Sequence, residues 1–64
     1  MIKTDLRRIR RARDLTMQEL ARMSGVSLAT INNIESGRAS NITASTAIKL
    51  VNALNCSLDL LFCR

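Results

Sequence analysis

The sequence contains no histidine, proline, tryptophan or tyrosine, and Phe62 is its single aromatic residue. General acid–base and nucleophilic catalysis depend most often on histidine or on paired carboxylates, whereas the five acidic residues of this chain are scattered. With two glycines, the chain also has no glycine-rich phosphate loop. We therefore expect a protein that is not an enzyme and has no catalytic residues.

Cysteine is scarce as well, and the two cysteines, Cys56 and Cys63, do not form a C-x-x-C pair. A structural zinc site needs about four ligands, so we expect no metal and no other cofactor. No apolar run reaches the roughly 20 residues that span a bilayer, and no signal peptide begins the chain. These absences predict a cytoplasmic protein without membrane contact, in which both thiols are reduced.

The hydrophobic residues, 47% of the 64, are almost all aliphatic, and this favours a single domain over residues 1–64 built from packed helices. The formal net charge is +5, from ten Lys and Arg against five Asp and Glu. Such an excess in a small chain suggests a polyanionic partner. Five arginines cluster near the start: Arg7, Arg8, Arg10, Arg11 and Arg13. Most of this cluster is expected to be a solvated helix face, with attraction of Arg7 and Arg11 to phosphate as the alternative.

Apolar spacing and capping residues predict five helices and no strands. The predicted helices span about residues 3–13, 17–23 and 28–36, followed by a fourth helix capped by Thr43 and a short fifth capped by Ser57. The first helix is expected to bury Ile2, Leu6 and Ile9, and the fourth to bury Ala47, Ile48, Val51 and Leu54. Asn55 is expected to end the fourth helix, since asparagine tolerates the left-handed conformation.

The most informative segment is 16–37, T-M-Q-E-L-A-R-M-S-G-V-S-L-A-T-I-N-N-I-E-S-G. Thr16 and Glu19 have the spacing of a capping box. Gly25 suits a left-handed turn after that helix, Ser27 offers the next N-cap, and Gly37 a second stop. Two helices joined by a glycine turn are typical of the helix-turn-helix unit.

This segment resembles the phage repressor/Cro-type helix-turn-helix family. The matching residues are Leu15, Thr16, Glu19, Leu20, Ala21, Gly25, Val26, Ser27, Thr30, Ile31, Ile34, Glu35 and Gly37. The run A-L-N-C-S-L-D-L-L-F at 53–62 is similar to the closing segment of the family, and with Arg10 the resemblance covers about residues 5–62. It implies a compact all-α fold whose third helix lies in the DNA major groove.

The resemblance also implies which residues meet the bases. The matching positions are Ser27, Leu28, Ala29 and Asn33, and Asn32 is a further candidate whose direction depends on the roll of the helix. Asparagine pairs well with adenine N6 and N7, and Leu or Ala can touch the methyl group of thymine. The alternative is that Asn32 and Asn33 are ordinary solvated helix residues.

Contacts with the DNA backbone are implied for a second set of positions: Ser36, Arg38, Ser40, Asn41 and Thr43. Family members often carry glutamine directly after the capping threonine, where this chain has Met17. Gln18 is the neighbouring candidate, although it lies about 100° further round the helix. The backbone amides at this helix start are another route to a phosphate. The alternative for the second set is a polar loop without a ligand.

Two structural roles complete the expectations. The family pairs an arginine of the first helix with the glutamate of the I-E-x-G segment, which implies an Arg10–Glu35 ion pair. Leu58, Leu61 and Cys63 are candidates for a dimer interface, with closure of the core as the alternative.

These features together predict a transcriptional regulator that binds double-stranded DNA as a homodimer at a two-fold symmetric operator, with pairing only on DNA as the alternative to pairing in solution. Two alternatives stay open. The first is an antitoxin-type regulator with an additional toxin-binding surface. The second is a protein-interaction module of the same fold without DNA binding, an interpretation that Met17, Leu28 and Ala29 favour.

Overall fold

The structure, a computed structural model, describes residues 4–38 and 42–62. These residues form the five helices α1 (Leu6–Ala12), α2 (Met17–Ser24), α3 (Leu28–Ser36), α4 (Ala44–Leu54) and α5 (Leu58–Leu61), and no strand. The predicted all-α fold is confirmed. Within the same ranges, no helix is long and apolar enough to cross a membrane.

The helix ends follow local capping chemistry. At α2, Thr16 Oγ1 accepts a hydrogen bond from the Glu19 amide at 3.0 Å, and Glu19 Oε1 accepts one from the Thr16 amide at 2.8 Å. Hydrogen bonds to the ionised Glu19 carboxylate, first from the Thr16 backbone amide and then from the Thr16 side chain, lower the pKa of Glu19. Gly25 then ends α2 with φ of 75°, and Asn55 ends α4 with φ of 54°, both in the left-handed region that the sequence predicted.

Three predicted helix limits need correction. The first helix begins at Leu6, after the N-cap residue Asp5, and ends at Ala12 rather than covering 3–13. The second extends one residue further, to Ser24. Ile2, expected on the buried stripe of the first helix, lies outside the described residues.

The core is aliphatic and draws on all five helices. Its buried members are Leu6, Ile9, Leu20, Val26, Ile31, Ile34, Leu50, Val51, Leu54 and Leu61. The helix α2 packs against α3 and α4, while α5 packs against α4 and α1 against α3. The helices α2 and α4 are therefore the centre of the packing, and one side of α3 remains at the surface.

Ile48 was predicted to be buried, and that prediction is wrong. Its exposed fraction is 49%, and Leu50, which is 0% exposed, takes the buried position. The physical reason is the helix rotation of about 100° per residue. It places Leu50 beside Ala47 and Leu54, and it turns Ile48 past Val51 towards solvent.

The expectation of a dimer contact through Leu61 also needs correction. Leu61 is 0% exposed and packs in the core, and Phe62 packs partly against the same core. Leu58 and Leu60 are instead 44% and 46% exposed. Cys63 lies outside the described residues, so Leu58 is the dimer candidate that the structure places at the surface.

A nearly buried ion pair connects α1 to α3, and its arginine also binds the segment directly before α2. Arg10 Nε donates to Glu35 Oε2 at 2.7 Å and Arg10 Nη2 donates to Glu35 Oε1 at 3.0 Å, a two-pronged contact from α1 to the last turn of α3. Arg10 Nη1 also donates to the carbonyl oxygen of Leu15, directly before α2, at 2.6 Å. The Glu35 side chain is 1% exposed, and its hydrogen bond raises the pKa of Arg10 against the opposing effect of burial.

Replacing Arg10 with methionine is expected to destabilise the fold, because the charge of Glu35 would be left buried without a partner. Loss of one partner of a buried ion pair costs about 3–5 kcal/mol. The double variant Arg10→Met/Glu35→Leu should recover much of that loss, since an apolar pair often replaces a buried ion pair. Chemical denaturation of both variants measures the two free energies of unfolding.

Arg7→Ala is the matched control. Arg7 Nε also donates to Glu35 Oε1, but at 3.4 Å and from a side chain that is 57% exposed. An exposed contact of this kind contributes about 0–1 kcal/mol. If Arg10→Met were as stable as Arg7→Ala, the Arg10–Glu35 pair would not have the structural role assigned to it.

Candidate nucleic-acid interface

The orientation of α3 is fixed by two isoleucines on its inner side. Ile31 is 0% exposed and Ile34 is 5% exposed, and both belong to the core. At the C-terminal end, Gly37 adopts φ of 80°, and the Arg38 amide donates to the Asn33 carbonyl oxygen at 2.9 Å. The buried side of α3 is thus fixed in the core, and the helix ends at Gly37. The orientation of its opposite side is therefore also fixed.

The side of α3 that points away from the core carries most of the predicted base contacts. We call it the outward face, and it consists of Leu28, Ala29, Asn32, Asn33 and Ser36, all exposed. A rotation of about 100° per residue places Asn32 and Asn33 about 50° to either side of the direction opposite Ile31 and Ile34. Both asparagines are exposed on this face.

Ser27 has a structural task at the start of α3. Its Oγ accepts a hydrogen bond from the Thr30 amide at 3.2 Å and donates its own hydrogen to Thr30 Oγ1 at 2.7 Å. In this conformation the hydroxyl group has no hydrogen to donate to a base. Ser27 borders the outward face, but the residue acts first as the N-cap of α3.

The predicted backbone contacts come from several parts of the chain. Gln18 and Arg38 are exposed, on α2 and directly after α3. The Ser36 hydroxyl donates to the Asn33 carbonyl oxygen at 3.2 Å, and Thr43 Oγ1 accepts from the Thr46 amide at 3.2 Å as the cap of α4. Ser40 and Asn41 lie outside the described residues.

Met17 faces the protein rather than solvent. It is partly buried and packs against the core. This placement accounts for an apolar residue directly after the capping Thr16. Any contact of this helix start with a phosphate falls to the backbone amides or to Gln18.

The arginines of α1 adjoin the C-terminal end of α3. Arg7 reaches Glu35, Arg8 pairs with Asp5, and Arg11 is exposed beside them. Together with Thr4, these side chains line one open groove. The Arg7–Glu35 and Arg8–Asp5 contacts were missed by the sequence analysis. The Arg8–Asp5 contact could have been predicted from the sequence, because residues three apart on a helix or its cap are neighbours. The Arg7–Glu35 contact could not, since it joins residues that are distant in the chain.

The outward face offers chemical groups that are suited to binding. Within residues 4–38 and 42–62, no group of three or more cysteine and acidic side chains could hold a metal ion. The outward face combines two amide groups with an exposed leucine and alanine, which are complementary to the donors, acceptors and methyl groups of a DNA major groove. Positive charge nearby is complementary to phosphate.

Comparison with known proteins supports this interpretation of the geometry. The family model described as helix-turn-helix matches residues 6–61. A curated relative from Bacillus subtilis (strain 168), described as the uncharacterized HTH-type transcriptional regulator RghRB, is 47% identical over 49 residues. That match covers 77% of this chain and 35% of the relative, so the chain spans about a third of the relative's length.

The family-model match over residues 6–61 contains α1 through α5. It includes the turn at Gly25, the outward face of α3 and both members of the Arg10–Glu35 pair. The chain therefore belongs to the Cro/C1-type helix-turn-helix family.

Proposed function

We propose that this protein is a repressor/Cro-like transcriptional regulator that binds a specific double-stranded DNA sequence by placing α3 in the major groove. The observation that carries the proposal is the outward face of α3. It is exposed along the whole helix, while Ile31 and Ile34 anchor the opposite side in the core. Family membership and the description of the relative as a transcriptional regulator support the same function. The protein acts by binding, not catalysis, and its place of action is the cytoplasm.

In the proposed complex, different residues provide affinity for DNA and specificity for its sequence. Asn32 and Asn33 present amide groups that can pair with adenine N6 and N7. Arg38, directly after α3, and Gln18, on α2, are both exposed and contact phosphates, which fix the position of the protein without reading sequence. The net charge of +5 attracts the duplex over a longer range.

The proposed active species is a homodimer on a two-fold symmetric operator, because one such domain contacts few base pairs. Among the described residues, five large apolar side chains are exposed, and two of them, Leu58 and Leu60, belong to α5. The helix α5 packs directly on α4. This apolar surface near the C-terminal end of the described chain is the proposed contact between subunits.

Duplex binding is expected to weaken steeply with added salt. Each phosphate contact contributes a slope of about −0.9 to log K against log salt. A dimer that makes six to ten such contacts loses about 10³–10⁵-fold in affinity between 50 and 200 mM salt. The measurement is a titration of duplexes selected from a random pool at several salt concentrations. Absence of duplex binding at every salt concentration would instead favour a protein-interaction module.

The variants Asn33→Ala and Arg38→Ala are expected to affect duplex binding in two different ways. The first should cost about 1–3 kcal/mol on the selected operator and relax the preference at one position of each half-site, because a base contact is lost. The second should weaken all duplexes by similar factors, because a phosphate contact carries no sequence information. Affinities for the operator and its single-base variants separate the two patterns. A uniform loss for Asn33→Ala would assign that residue to the backbone contacts.

Leu58→Asp is expected to reduce cooperativity between half-sites while the domain stays folded, since Leu58 is already 44% exposed. Binding to one half-site and to the full operator is compared, and a thermal melt checks folding. Met23→Asp is the matched control, because it makes the same change of charge at an apolar side chain of α2 that is 55% exposed. Equal cooperativity in both variants would place the subunit contact elsewhere.

A further inference from the structure

The arginines of α1 take no part in the contacts proposed so far for α2 and α3. Three of them line the open groove beside the C-terminal end of α3, which we call the arginine groove. Its lining residues are Thr4, Asp5, Arg7, Arg8, Arg11 and Glu35. Exposed arginines are common on protein surfaces, so the groove needs an explanation only if its charge and its position both point to a ligand.

Both carboxylates of the arginine groove are already neutralised within the protein. Glu35 receives two hydrogen bonds from Arg10, at 2.7 and 3.0 Å, and its side chain is 1% exposed. Asp5 pairs with Arg8 three residues further along the chain. These two pairs leave no net negative charge in the groove to repel an anion.

The excess positive charge of the groove belongs to Arg7 and Arg11. Arg7 contacts Glu35 through Nε alone, at 3.4 Å, and its side chain is 57% exposed. Arg11 is exposed and has no ion-pair partner among the residues that the structure describes. The two arginines are four residues apart, so they are neighbours on the surface of α1. Their guanidinium groups are suited to the paired oxygens of a phosphate.

The position of the groove follows from Glu35. That residue comes three after Asn32, and a rotation of about 100° per residue places it about 60° round the helix from Asn32. Because Arg7 reaches Glu35 from α1, the arginine groove lies along the flank of α3 next to the outward face. A DNA major groove is about 12 Å wide, close to the diameter of a helix with its side chains. A helix that fills it has a phosphate strand along each flank.

We propose that Arg7 and Arg11 form a phosphate-binding site on α1, which contacts the DNA strand that runs along this flank of α3. The inference rests on the proposed function and adds a contact that Arg38 and Gln18 do not provide. The ligand is the duplex backbone rather than an acidic protein, because the arginine groove is continuous with the surface proposed to enter the major groove.

The variant Arg11→Ala tests the site without breaking an ion pair in the described structure. The slope of log K against log salt is expected to become shallower by about 0.9 for each subunit, or about 1.8 for a dimer. The preference among single-base variants of the operator should stay unchanged, because a phosphate contact carries no sequence information. Arg13→Ala is the matched control, since it removes the same charge from an exposed residue directly after α1 that does not line the groove. It should keep the slope of the unmodified protein.

Replacement of single phosphates by uncharged methylphosphonate locates the contact on the DNA. One or two replacements in each half-site are expected to weaken binding about eightfold at 0.1 M salt, the factor that one contact with a slope of about −0.9 contributes relative to 1 M salt. These replacements should be neutral in Arg11→Ala, where the partner of the phosphate is missing. Arg7→Ala should lose the effect at the same phosphate or at the adjacent one, and a thermal melt checks that both variants are folded.

The outcomes separate the two proposals. If the unmodified protein binds no duplex at any salt concentration, the proposed function fails, and the phosphate site fails with it. If duplexes are bound but Arg7→Ala and Arg11→Ala keep the full slope, the regulator function stands and the site on α1 is wrong, which would favour an acidic protein as the ligand of the groove. An equal loss of slope in Arg13→Ala would show an effect of net charge and would also overturn the site. Methylphosphonate effects that all persist in Arg11→Ala would assign the phosphate contacts to other residues.

Discussion

The buried carboxylate of Glu35 is the constraint on which the position of α3 depends. A charged side chain that is 1% exposed is stable only with a partner, because removal of an ion from water costs several kcal/mol. Arg10 provides that partner and also binds the carbonyl oxygen of Leu15, where α2 is about to begin. One guanidinium group therefore holds α1, the approach to α2 and the end of α3 in a single arrangement.

The consequence for α3 is that its outward face is set by contacts on its other side. A helix of nine residues is too short to be stable alone in water. Ile31 and Ile34 supply the apolar anchor and Glu35 the polar one, and the three residues occupy one side of the helix. The residues that remain for a ligand are those that this anchoring leaves exposed, so the core and the proposed DNA surface are two sides of one helix.

Local signals made much of the fold predictable from sequence. Helix ends are set by hydrogen bonds and φ values within a few residues. The structure shows these features at Thr16 with Glu19, at Gly25 and at Asn55. Burial of Ile48 was predicted wrongly, and the sequence left Leu61 between a dimer contact and the core, because periodicity identifies an apolar stripe but not which neighbour covers its edge. The Arg10–Glu35 contact joins residues 25 apart, so it came from the family resemblance and not from any local pattern.

Candidate base-reading residues could be named from the sequence only by their position. The resemblance gave positions, but the chemistry available at each position depends on the hydrogen bonds already formed. Ser27 matches a base-contact position, yet its hydrogen is bound to Thr30. Phosphate attraction from the +5 charge adds affinity without sequence information. Discrimination in the proposed complex must therefore come from a few groups, two amides and the apolar first turn of α3, and this small number is the physical reason why a second copy on a symmetric site would be needed.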